Sequence, residues 1–508
     1  MKTKLVAFAF AALLTCSTAH SVERLSDGEY YDKVYGAWLG KCVGGALGMP
    51  IEGWHYRDIR AKHGEITGYL SYFHEDSHTG WSGILKTAQI PEDGEWHHLA
   101  ITIRAPRLAS ERYAVPIVGM SCEYSTKPGE YLIRNLRLPR PASNLPANGG
   151  VWSPMDACGW MPGGEIRVAF NGLRAWTRMT PEAARLAAIP PGSLVAFSLD
   201  AKWISGDNQI GFAFDYRQKV RRTGFGPDDD TTYEIVGLHA LETYGPDLSC
   251  EQIGAEWLNL LGPLSGGMLA EEIARERMGR GIKPPESGNH PVGEAIGGQM
   301  KADIWGLVCP GRPDLAAEYA RRDGVVAHRD NGVYGEQFVA AMISAAFREK
   351  DARKLIDVGL AHIPKDCKYA SVIREVIEWH SKYPDWRDTV REVKSKYPGV
   401  CDPVYAEAGI VTLALLYGEG DFDRSVCIAA MCGSDTDCNT ATVGALLGCI
   451  KGAKTIPAKW KKPLNDTFYC GARGMTDWKI SELAKRICAT GRKVGQHHGT
   501  GIRFTKGI

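Results

Sequence analysis

Apolar residues recur at the three- and four-residue spacing of amphipathic helices through most of the chain after Asp228. Short turn signals, such as Gly245-Pro246 and Pro398-Gly399, separate one periodic run from the next. The runs predict helices over 230–244, 249–261, 266–280, 313–328, 334–349, 369–382, 385–397, 403–417, 422–432 and 437–452. Helix after helix with short connections predicts a compact all-α domain, so the predicted fold class is mainly α.

Residues 66–225 follow a different pattern, in which short apolar runs alternate with Gly, Pro and Asn turns. These runs predict strands near 99–103, 131–134, 165–170 and 194–198. Within this region the stretch 180–188 predicts a helix. We therefore predict a β-sandwich-like domain over 66–225, inserted into a helical domain formed by 24–65 and 226–490, with a C-terminal tail at 491–508.

The inserted region is rich in tryptophan, and two interpretations of these residues stay open. The residues are Trp81, Trp96, Trp152, Trp160, Trp176 and Trp203. Buried tryptophans would form the core of a small sandwich, which is the commoner case. Exposed ones would stack on sugar rings, as in carbohydrate-binding modules, and would then recognise a glycan.

Four glycines recur at four-residue spacing in the predicted helix 32–48, at Gly36, Gly40, Gly44 and Gly48. This spacing places them on one slowly rotating stripe. Glycine weakens a helix, so a repeated stripe needs a structural reason, and close contact with a second helix is the usual one. Lys41 and the short apolar stretch argue against a membrane dimer motif.

The N-terminus has the pattern of a secretory signal peptide. Lys2 and Lys4 precede an apolar run over 5–14, and small polar residues follow at 15–19. The run is too short for a membrane-spanning helix. Residues 1–19 are therefore predicted to be removed on export, which leaves a secreted or periplasmic protein with no membrane attachment.

The overall charge excludes some partners and the cysteine pattern excludes some sites. The formal net charge is +1 and no basic tract stands out, so neither nucleic acid nor an anionic membrane is a predicted partner. The 14 cysteines are scattered, without CxxC pairs or zinc-like Cys/His spacing. Most are predicted to be buried small hydrophobic residues, and one or two disulfides stay open.

Two acidic clusters, far apart in the sequence, each precede a predicted helix. The first is Asp228-Asp229-Asp230, and the second contains Asp435 and Asp437. A single Asp at a helix N-terminus is ordinary, because it accepts hydrogen bonds from free backbone N–H groups. Three consecutive carboxylates repel one another and need a further reason to be held together. Oxygen ligands from two distant segments are what a hard divalent cation such as Mg²⁺ requires, so the pattern predicts a metal site.

Three segments of the chain together resemble the ADP-ribosylglycohydrolase family. The segment 44–52 resembles the family's N-terminal glycine-rich helix, which ends in a Glu. The segment 228–231 resembles its Thr-Asp-Asp-Thr motif, and 433–438 resembles its Gly-Gly-Asp-Thr-Asp-Thr motif. The resemblance covers about 30–53 and 227–455, in the family's order, and leaves the β-rich region outside. It implies an all-α hydrolase fold with a two-magnesium site.

Carried over residue by residue, the resemblance implies roles for the acidic side chains. The implied catalytic residues are Glu52, Asp229 and Asp435. The implied metal ligands are Asp228, Asp229, Asp230, Asp435, Asp437 and Cys438. The implied cofactor is one or two Mg²⁺ ions, with Mn²⁺ as the alternative ion. Two residues depart from the family pattern: Asp228 stands in place of Thr, and Cys438 stands where a Thr ligand is usual. A thiol is a poor Mg²⁺ ligand, so Asn439, a water or a single bound ion would have to compensate.

The substrate side of the family site matches less closely. Asn289 fits the family's Asn-Gly-x-Ala-Met-Arg segment, but Glu294 stands in place of its Arg. His328 fits the family's Thr-His segment. Asn289, His328, Tyr334 and Gly335 are therefore the candidate substrate-binding residues. An acid in place of a base disfavours a diphosphate, so the cleaving centre is better preserved than ADP recognition.

Three functions follow from these observations and stay open at the level of the sequence. The first is Mg²⁺-dependent hydrolysis of an N- or O-glycosidic bond at the anomeric carbon of ADP-ribose or a ribose-like sugar. The second is an exported metal-dependent glycosidase or nucleoside-type hydrolase acting on an extracellular saccharide. The third is a catalytically silent member of the family that binds sugar. In each case the partner is a small molecule or a glycan.

Overall fold

The computed structural model describes most of the chain, with gaps chiefly in the inserted region and at the termini. The described residues are 24–70, 78–104, 112–121, 129–137, 152–156, 158–161, 165–170, 174–179, 194–218, 224–261, 269–499 and 501–505. The predicted signal peptide at 1–19 and the predicted helix at 180–188 lie outside them.

Helices dominate the part of the chain outside the insert. They are α1 (Asp27–Gly48), α2 (Tyr56–His63), α3 (Asp229–Tyr244), α4 (Cys250–Leu260), α5 (Leu269–Gly279), α6 (Gly297–Met300), α7 (Asp303–Leu307), α8 (Pro313–Ala327), α9 (Asp330–Ala345), α10 (Ala352–Ala361), α11 (Lys368–Lys382), α12 (Trp386–Lys396), α13 (Tyr405–Gly418), α14 (Phe422–Met431), α15 (Thr436–Lys451), α16 (Ala458–Leu464) and α17 (Ile480–His498). The mainly-α fold is thereby confirmed. No described helix is both long enough and apolar enough to cross a membrane.

Strands are concentrated in the insert. They are β1 (Arg24–Ser26), β2 (His78–Gln89), β3 (His97–Arg104), β4 (Arg112–Ser121), β5 (Gly129–Arg137), β6 (Trp152–Asp156), β7 (Cys158–Trp160), β8 (Ile166–Phe170), β9 (Arg174–Met179), β10 (Leu194–Gly206), β11 (Gln209–Gln218), β12 (Thr467–Tyr469), β13 (Asp477–Lys479) and β14 (Arg503–Thr505). Outside the insert, β12 pairs with β13, and β14 pairs with β1.

The described strands of the insert form two five-stranded antiparallel sheets, with strand orders β3-β10-β5-β8-β7 and β2-β11-β4-β9-β6. Strands that follow one another in the sequence mostly belong to different sheets, which is the arrangement of a double-sheet jelly roll. The rings of Phe197 in β10 and Phe212 in β11 are buried against each other at 5.6 Å between centroids. Alternating apolar residues thus form a core between the two sheets.

Two of the six tryptophans in the insert have described side chains, and both are half-buried. The guanidinium of Arg134 lies 3.9 Å from the ring centroid of Trp96. The indole N–H of Trp203 donates to the carbonyl oxygen of Gly206 at 3.1 Å. The side chains of the other four lie outside the described part of the structure.

The helical domain has one extended apolar core, which draws on both sides of the insert. Ile66 and Phe225, at the predicted ends of the insert, are both buried in this core. The described strands of the insert begin at His78 and end at Gln218. The chain therefore belongs to the helical core at Ile66, before the described strands, and again at Phe225, after them.

Most of the described residues of the predicted tail at 491–508 pack against the helical domain. Helix α17 continues to His498, and its Val494 is buried. Ile502 is also buried in the helical core, and β14 pairs in parallel with β1. The burial of these apolar side chains in the helical core and the pairing of β14 with β1 hold the two ends of the described chain together.

The described cysteines are free thiols, and most of them are buried, as predicted. They pack as small apolar residues in the helical core, as Cys42 and Cys449 do. Burial raises the pKa of both of these thiols well above the usual range of a cysteine.

The predicted glycine stripe forms a backbone-to-backbone contact between α1 and α15. The hydroxyl of Thr436 donates to the carbonyl oxygen of Gly48 at 2.8 Å. A methyl group at Gly40 would lie 1.9 Å from the carbonyl oxygen of Gly444. Because α15 begins next to the second acidic cluster and α1 leads to Glu52, this contact aligns two parts of the candidate site.

Enlarging Gly40 is expected to unfold this helix pair. Gly40→Ala should lower the free energy of unfolding by about 3 kcal/mol or more, because the added carbon meets backbone atoms that have no rotamer to escape into. The measurement is the urea midpoint followed by circular dichroism. Gly28→Ala in the same helix is the matched control, since a methyl group there meets nothing within 4 Å. It should stabilise the protein by at most about 1 kcal/mol. Equal stability of the two variants would contradict the close-contact role.

Candidate metal centre

The two predicted acidic clusters meet at the N-termini of two helices. Asp228 caps α3, and its Oδ1 accepts a hydrogen bond from the backbone N–H of Asp230 at 2.8 Å. Asp435 occupies the N-cap position of α15, but its side chain makes no capping bond. The thiol of Cys438 in α15 lies 3.1 Å from Oδ2 of Asp230 and so joins the two clusters. Both helix N-termini therefore point partial positive charge at the same group of carboxylates.

The carboxylates of this centre are buried and repel one another. Asp228, Asp230, Asp435 and Asp437 are between 2 and 7% exposed. Burial, followed by the charges of Asp230 and Asp229, raises the pKa of Asp228 well above its ordinary value. Burial also raises the pKa of Asp437, with Glu52 and Asp435 adding to the effect. Without a cation the centre therefore holds protons that isolated aspartates would have lost.

Lys41 supplies one positive charge beneath the centre. Its ammonium lies 3.0 Å from Oδ2 of Asp303, 3.1 Å from Oε1 of Glu234 and 3.8 Å from Oδ1 of Asp230. It also donates to the carbonyl oxygen of Met300 at 2.7 Å. Burial alone would lower the pKa of Lys41, but the three carboxylates raise it well above its ordinary value. Because three carboxylates share this one ammonium, the negative charge of the other carboxylates in the centre is not compensated by Lys41.

Glu52 lies at the open side of the centre, on a loop held against the second cluster. Gly53 donates its N–H to the carbonyl oxygen of Ser434 at 2.8 Å, and Ser434 donates to the carbonyl oxygen of Trp54 at 3.0 Å. Gly433 and Ser434 have positive φ angles of 70° and 76°, which turn the chain into this contact. Glu52 is solvent-exposed. The surrounding protein nevertheless desolvates its carboxyl group. This desolvation, and then the negative charges of Asp435 and Asp230, raise the pKa of Glu52 to about 7.

The donor set fits a divalent cation bound through oxygen. Asp228, Asp229 and Asp230 offer ligand atoms that lie within 4.8 Å of one another, and so do Asp435, Asp437 and Cys438. Oδ1 of Asp435 and Oδ1 of Asp437 are buried and have no hydrogen-bond partner among the described residues. Buried, unpaired carboxylate oxygens are costly unless a cation compensates them. The geometry therefore fits Mg²⁺ or a similar hard ion.

The thiol of Cys438 occupies the position at which the family pattern has a Thr oxygen. The negative charges around it, after burial, raise the pKa of this thiol well above the usual range. The buried amide of Asn439 follows in the same helix, and neither its nitrogen nor its oxygen has a partner among the described residues. Asn439 thus has an uncommitted oxygen of the type that Mg²⁺ accepts.

Cys401 is a residue of the centre that sequence reasoning missed. Its thiol donates to Oδ2 of Asp435 at 3.0 Å. Cys401 has a positive φ of 64° and lies in the loop that precedes α13. Nothing in the local sequence marks this loop as part of the site, because the contact depends on where α13 and α15 pack. Glu271 and Lys41 were missed as well; the signal for Lys41 was a single lysine in an apolar, glycine-rich helix.

His328 is buried behind the centre, where it pairs with a second buried acid. Its Nε2 lies 2.8 Å from Oε1 of Glu271, and both side chains are fully buried. The negative charge of Glu271 contributes to raising the pKa of Asp229, after burial and the charges of nearer carboxylates. His328 therefore pairs with Glu271 in the described structure, and its role in substrate binding stays a prediction.

The other candidate substrate-binding residues make their described contacts elsewhere. Asn289 is exposed, and its amide donates to Oε1 of Glu286 at 3.2 Å. Tyr334 is half-buried, and burial raises its pKa. A methyl group at Gly335 would meet the ring of Tyr369 at 3.0 Å, so this glycine serves helix packing. The described contacts do not bring these three residues to the carboxylates.

Glu294, which replaces a base of the family motif, is locally paired. Its Oε1 accepts from Arg329 at 3.0 Å, and its Oε2 accepts from Asn331 at 2.8 Å and from the hydroxyl of Tyr405 at 2.7 Å. Its backbone carbonyl oxygen accepts from the N–H of Val404 at 2.9 Å. Glu294 therefore holds the loop that carries Cys401, and its charge is compensated by Arg329.

The sequence matches one protein family over most of its length. The family model described as ADP-ribosylglycohydrolase matches residues 26–189 and 156–496. A solved structure named "ADP-ribosylglycohydrolase-related protein complex" has a TM-score of 0.39 and 17% sequence identity, over 53% of this chain and 81% of that chain. No curated protein matches the chain. Because the family model spans far more than half of the sequence, the chain belongs to the ADP-ribosylglycohydrolase family of hydrolases.

Proposed function

We propose that this protein hydrolyses an N- or O-glycosidic bond at the anomeric carbon of ADP-ribose or a ribose-like sugar, with the help of a divalent cation. The observation that carries the proposal is the meeting of two acidic helix N-termini around buried, unpaired carboxylate oxygens. Such a group is unstable by itself and becomes stable around a cation. The reaction would be that of a glycoside hydrolase.

The residues that would hold the cation are those of the two clusters. They are Asp228, Asp229, Asp230, Asp435 and Asp437, with Cys438 at the edge and Asn439 as an additional oxygen donor. When bound, one or two Mg²⁺ ions, or Mn²⁺, would orient sugar hydroxyls and lower the pKa of an attacking water. Lys41 would hold Asp230 in place through its ammonium.

The chain's own carboxylates would handle the proton. Glu52 is open to solvent and is anchored by backbone hydrogen bonds next to Asp435. A carboxylate at that position can accept the proton of a water that attacks the anomeric carbon. Asp229 and Asp435 are the alternatives for this role, since they belong to the same charged group.

An exported glycosidase or nucleoside-type hydrolase acting on an extracellular saccharide is the second candidate. It is favoured by the predicted signal peptide at 1–19 and by the jelly-roll arrangement of the insert, which lectin domains also have. A catalytically silent, sugar-binding protein is the third candidate, but the complete set of acidic residues weighs against it.

Two parallel substrate panels would separate these candidates. The first contains ADP-ribosylated peptides and O-acetyl-ADP-ribose, and the second contains aryl glycosides and nucleosides, each assayed with the mature protein and Mg²⁺. Release from the first panel is the expected result. Release from the second panel only would support the second candidate, a hydrolase that acts on extracellular sugars. Release from neither, with Mn²⁺ also tested, would leave the silent candidate.

Deleting the insert tests its contribution to substrate binding. Replacing 78–218 by a short Gly/Ser linker should leave the helical domain folded, because the described residues of its main core come from outside the insert. The KM for a glycan-linked substrate is expected to rise about tenfold, the effect of losing about 1.4 kcal/mol of binding, with kcat unchanged. The measurement is the pair kcat and KM for the full chain and the deletion variant. An unaltered KM would mean that the insert has a structural role and does not contribute to substrate binding.

A further inference from the structure

A cavity of about 460 Å³ next to the metal centre is lined by four arginines. Arg57 and Arg60 come from α2, and Arg387 and Arg391 come from α12. Each pair is spaced three or four residues apart, so each helix carries two like charges on one face, which is unfavourable by itself. Because the two faces line the same cavity, the positive charges of one helix also repel those of the other unless an anion lies between them.

The acids near these arginines compensate only some of them. Arg387 pairs with Glu65, which also lines the cavity, and with Asp385 at 3.1 Å. Arg391 pairs with Asp388 at 3.0 Å. The guanidinium of Arg60 is exposed and has no hydrogen bond or ion pair to a described residue, so the cavity keeps an excess of positive charge.

Two aromatic rings complete the lining. Tyr56 and Trp386 are half-buried, and Met431 forms part of the apolar surface. The guanidinium of Arg57 lies 5.6 Å from the ring centroid of Tyr56 and donates to its hydroxyl at 3.1 Å. The volume falls within the range of small-molecule sites, and rings beside forked cations suit a ligand that has both a flat group and an oxyanion.

The cavity adjoins the metal centre through the backbone. His55 and Gly433 form an isolated β-bridge, and a methyl group at Gly433 would lie 2.8 Å from the backbone nitrogen of Tyr56. Gly433 is two residues before Asp435, and Tyr56 is four residues after Glu52. A positively charged cavity therefore lies beside a negatively charged centre that a bound cation would stabilise.

We propose that this arginine pocket (Arg57, Arg60, Arg387 and Arg391) binds a phosphate group of the substrate, while the sugar faces the carboxylates. The proposal rests on the proposed glycoside hydrolysis and narrows its substrate to phosphate-bearing sugars or nucleotides. Guanidinium groups bind phosphate through paired N–H donors, which gives both affinity and orientation. A neutral saccharide would leave the guanidinium of Arg60 without a counter-ion.

The first test measures binding of inorganic pyrophosphate to the full chain by calorimetry at low salt, after EDTA treatment and desalting. Without a cation the carboxylate centre repels the anion, so binding reports the arginine pocket. Arg60→Ala and Arg391→Ala should each weaken binding about tenfold, the effect of one charge-assisted hydrogen bond. Arg353→Ala in α10 is the matched control, because Arg353 pairs with Asp357 and is not part of the cavity lining. It should bind as the unmodified chain does.

Several results would overturn the proposal. Binding that persists in both pocket variants would mean an adventitious ion only. The absence of pyrophosphate binding to the unmodified chain would remove the pocket as an anion site. Tighter binding of malonate than of pyrophosphate would assign the pocket to carboxylates. Arg60 and Arg391 are exposed, so unchanged melting temperatures are expected and separate a binding loss from unfolding.

A kinetic arm separates this proposal from the proposed function. An aryl riboside and its 5-phosphate are compared with Mg²⁺ present, and Arg60→Ala should raise the KM of the phosphorylated substrate alone. Equal KM values for both substrates in every variant would overturn the pocket while the hydrolytic function stands. Arginine-dependent pyrophosphate binding without hydrolysis of either substrate would support the pocket and contradict the hydrolytic function.

Discussion

Replacing Asp435 by alanine is expected to abolish turnover while the protein stays folded. Asp435 offers a buried, unpaired oxygen to the centre, and its loss should remove about 4 kcal/mol of the stabilisation that a bound cation gives the transition state. That corresponds to a loss of about a thousandfold in kcat. The side chain makes no capping hydrogen bond, so its removal takes none from α15 and relieves repulsion within the cluster. The measurements are kcat with Mg²⁺ and the melting temperature.

Asp351→Ala is the matched control for this prediction. Asp351 is also an N-cap residue, and its Oδ1 accepts from the N–H groups of Arg353 and Lys354 at 2.8 and 3.2 Å. Its loss should cost about 1 kcal/mol of stability and leave kcat unchanged. The two variants thus separate catalysis from helix capping. An unchanged rate in Asp435→Ala would refute the metal-centre account.

Removing divalent cations is expected to make the protein less stable as the pH rises. The pKa of Glu52 is raised from its ordinary value of 4.5 to about 7, and the pKa values of Asp228, Asp229 and Asp437 are also raised. Above about pH 4, these four carboxyl groups therefore bind more protons in the folded, cation-free protein than in the unfolded chain, up to pH 7 or above. Their contribution to stability is fully present below the unfolded pKa values and is lost as the pH rises through the folded ones.

The measurement is the melting temperature of EDTA-treated protein between pH 5 and pH 8, with and without added Mg²⁺. Without the ion it should fall by on the order of a few degrees over this range. Mg²⁺ at a hundredfold excess over its Kd should restore about 2.7 kcal/mol. Glu52→Gln should flatten the pH dependence in part, because it removes one of the raised carboxyls. A melting temperature that rises with pH in the cation-free protein would contradict the clustered carboxylates.

Much of the helical framework was readable from the sequence. The predicted helices at 422–432 and 437–452 correspond to Phe422–Met431 and Thr436–Lys451. The capping box of α1, formed by Ser26 and Glu29, moved its start to Asp27, ahead of the predicted 32. Helices such as Ala352–Ala361 and Ile480–His498 were missed, although the second has 19 residues. Local periodicity therefore located most of the helices between 230 and 452 but not every amphipathic helix of the chain.

The inserted sheets were predicted as a class of structure but not as an arrangement. The predicted strand near 194–198 corresponds to the longer β10, which pairs with both β3 and β5. Period-two alternation marks a strand in the sequence, but partner choice depends on contacts between residues that are far apart. The alternation pattern therefore could not predict the order of the ten described strands in the two sheets.

The amino-acid sequence alone was enough to nominate candidate residues for the metal centre. The two Asp clusters and the glycine stripe were visible because like charges and repeated glycines are unfavourable without a specific use, and Glu52 was implied by the family resemblance. What surrounds these residues depends on how the helices pack. Cys401 reaches Asp435, Lys41 lies under Asp230, and Arg60 shares a cavity with Arg391, because helices distant in the sequence pack together. Coulomb and hydrogen-bond energies depend on distance in space, and no local sequence pattern specifies that distance.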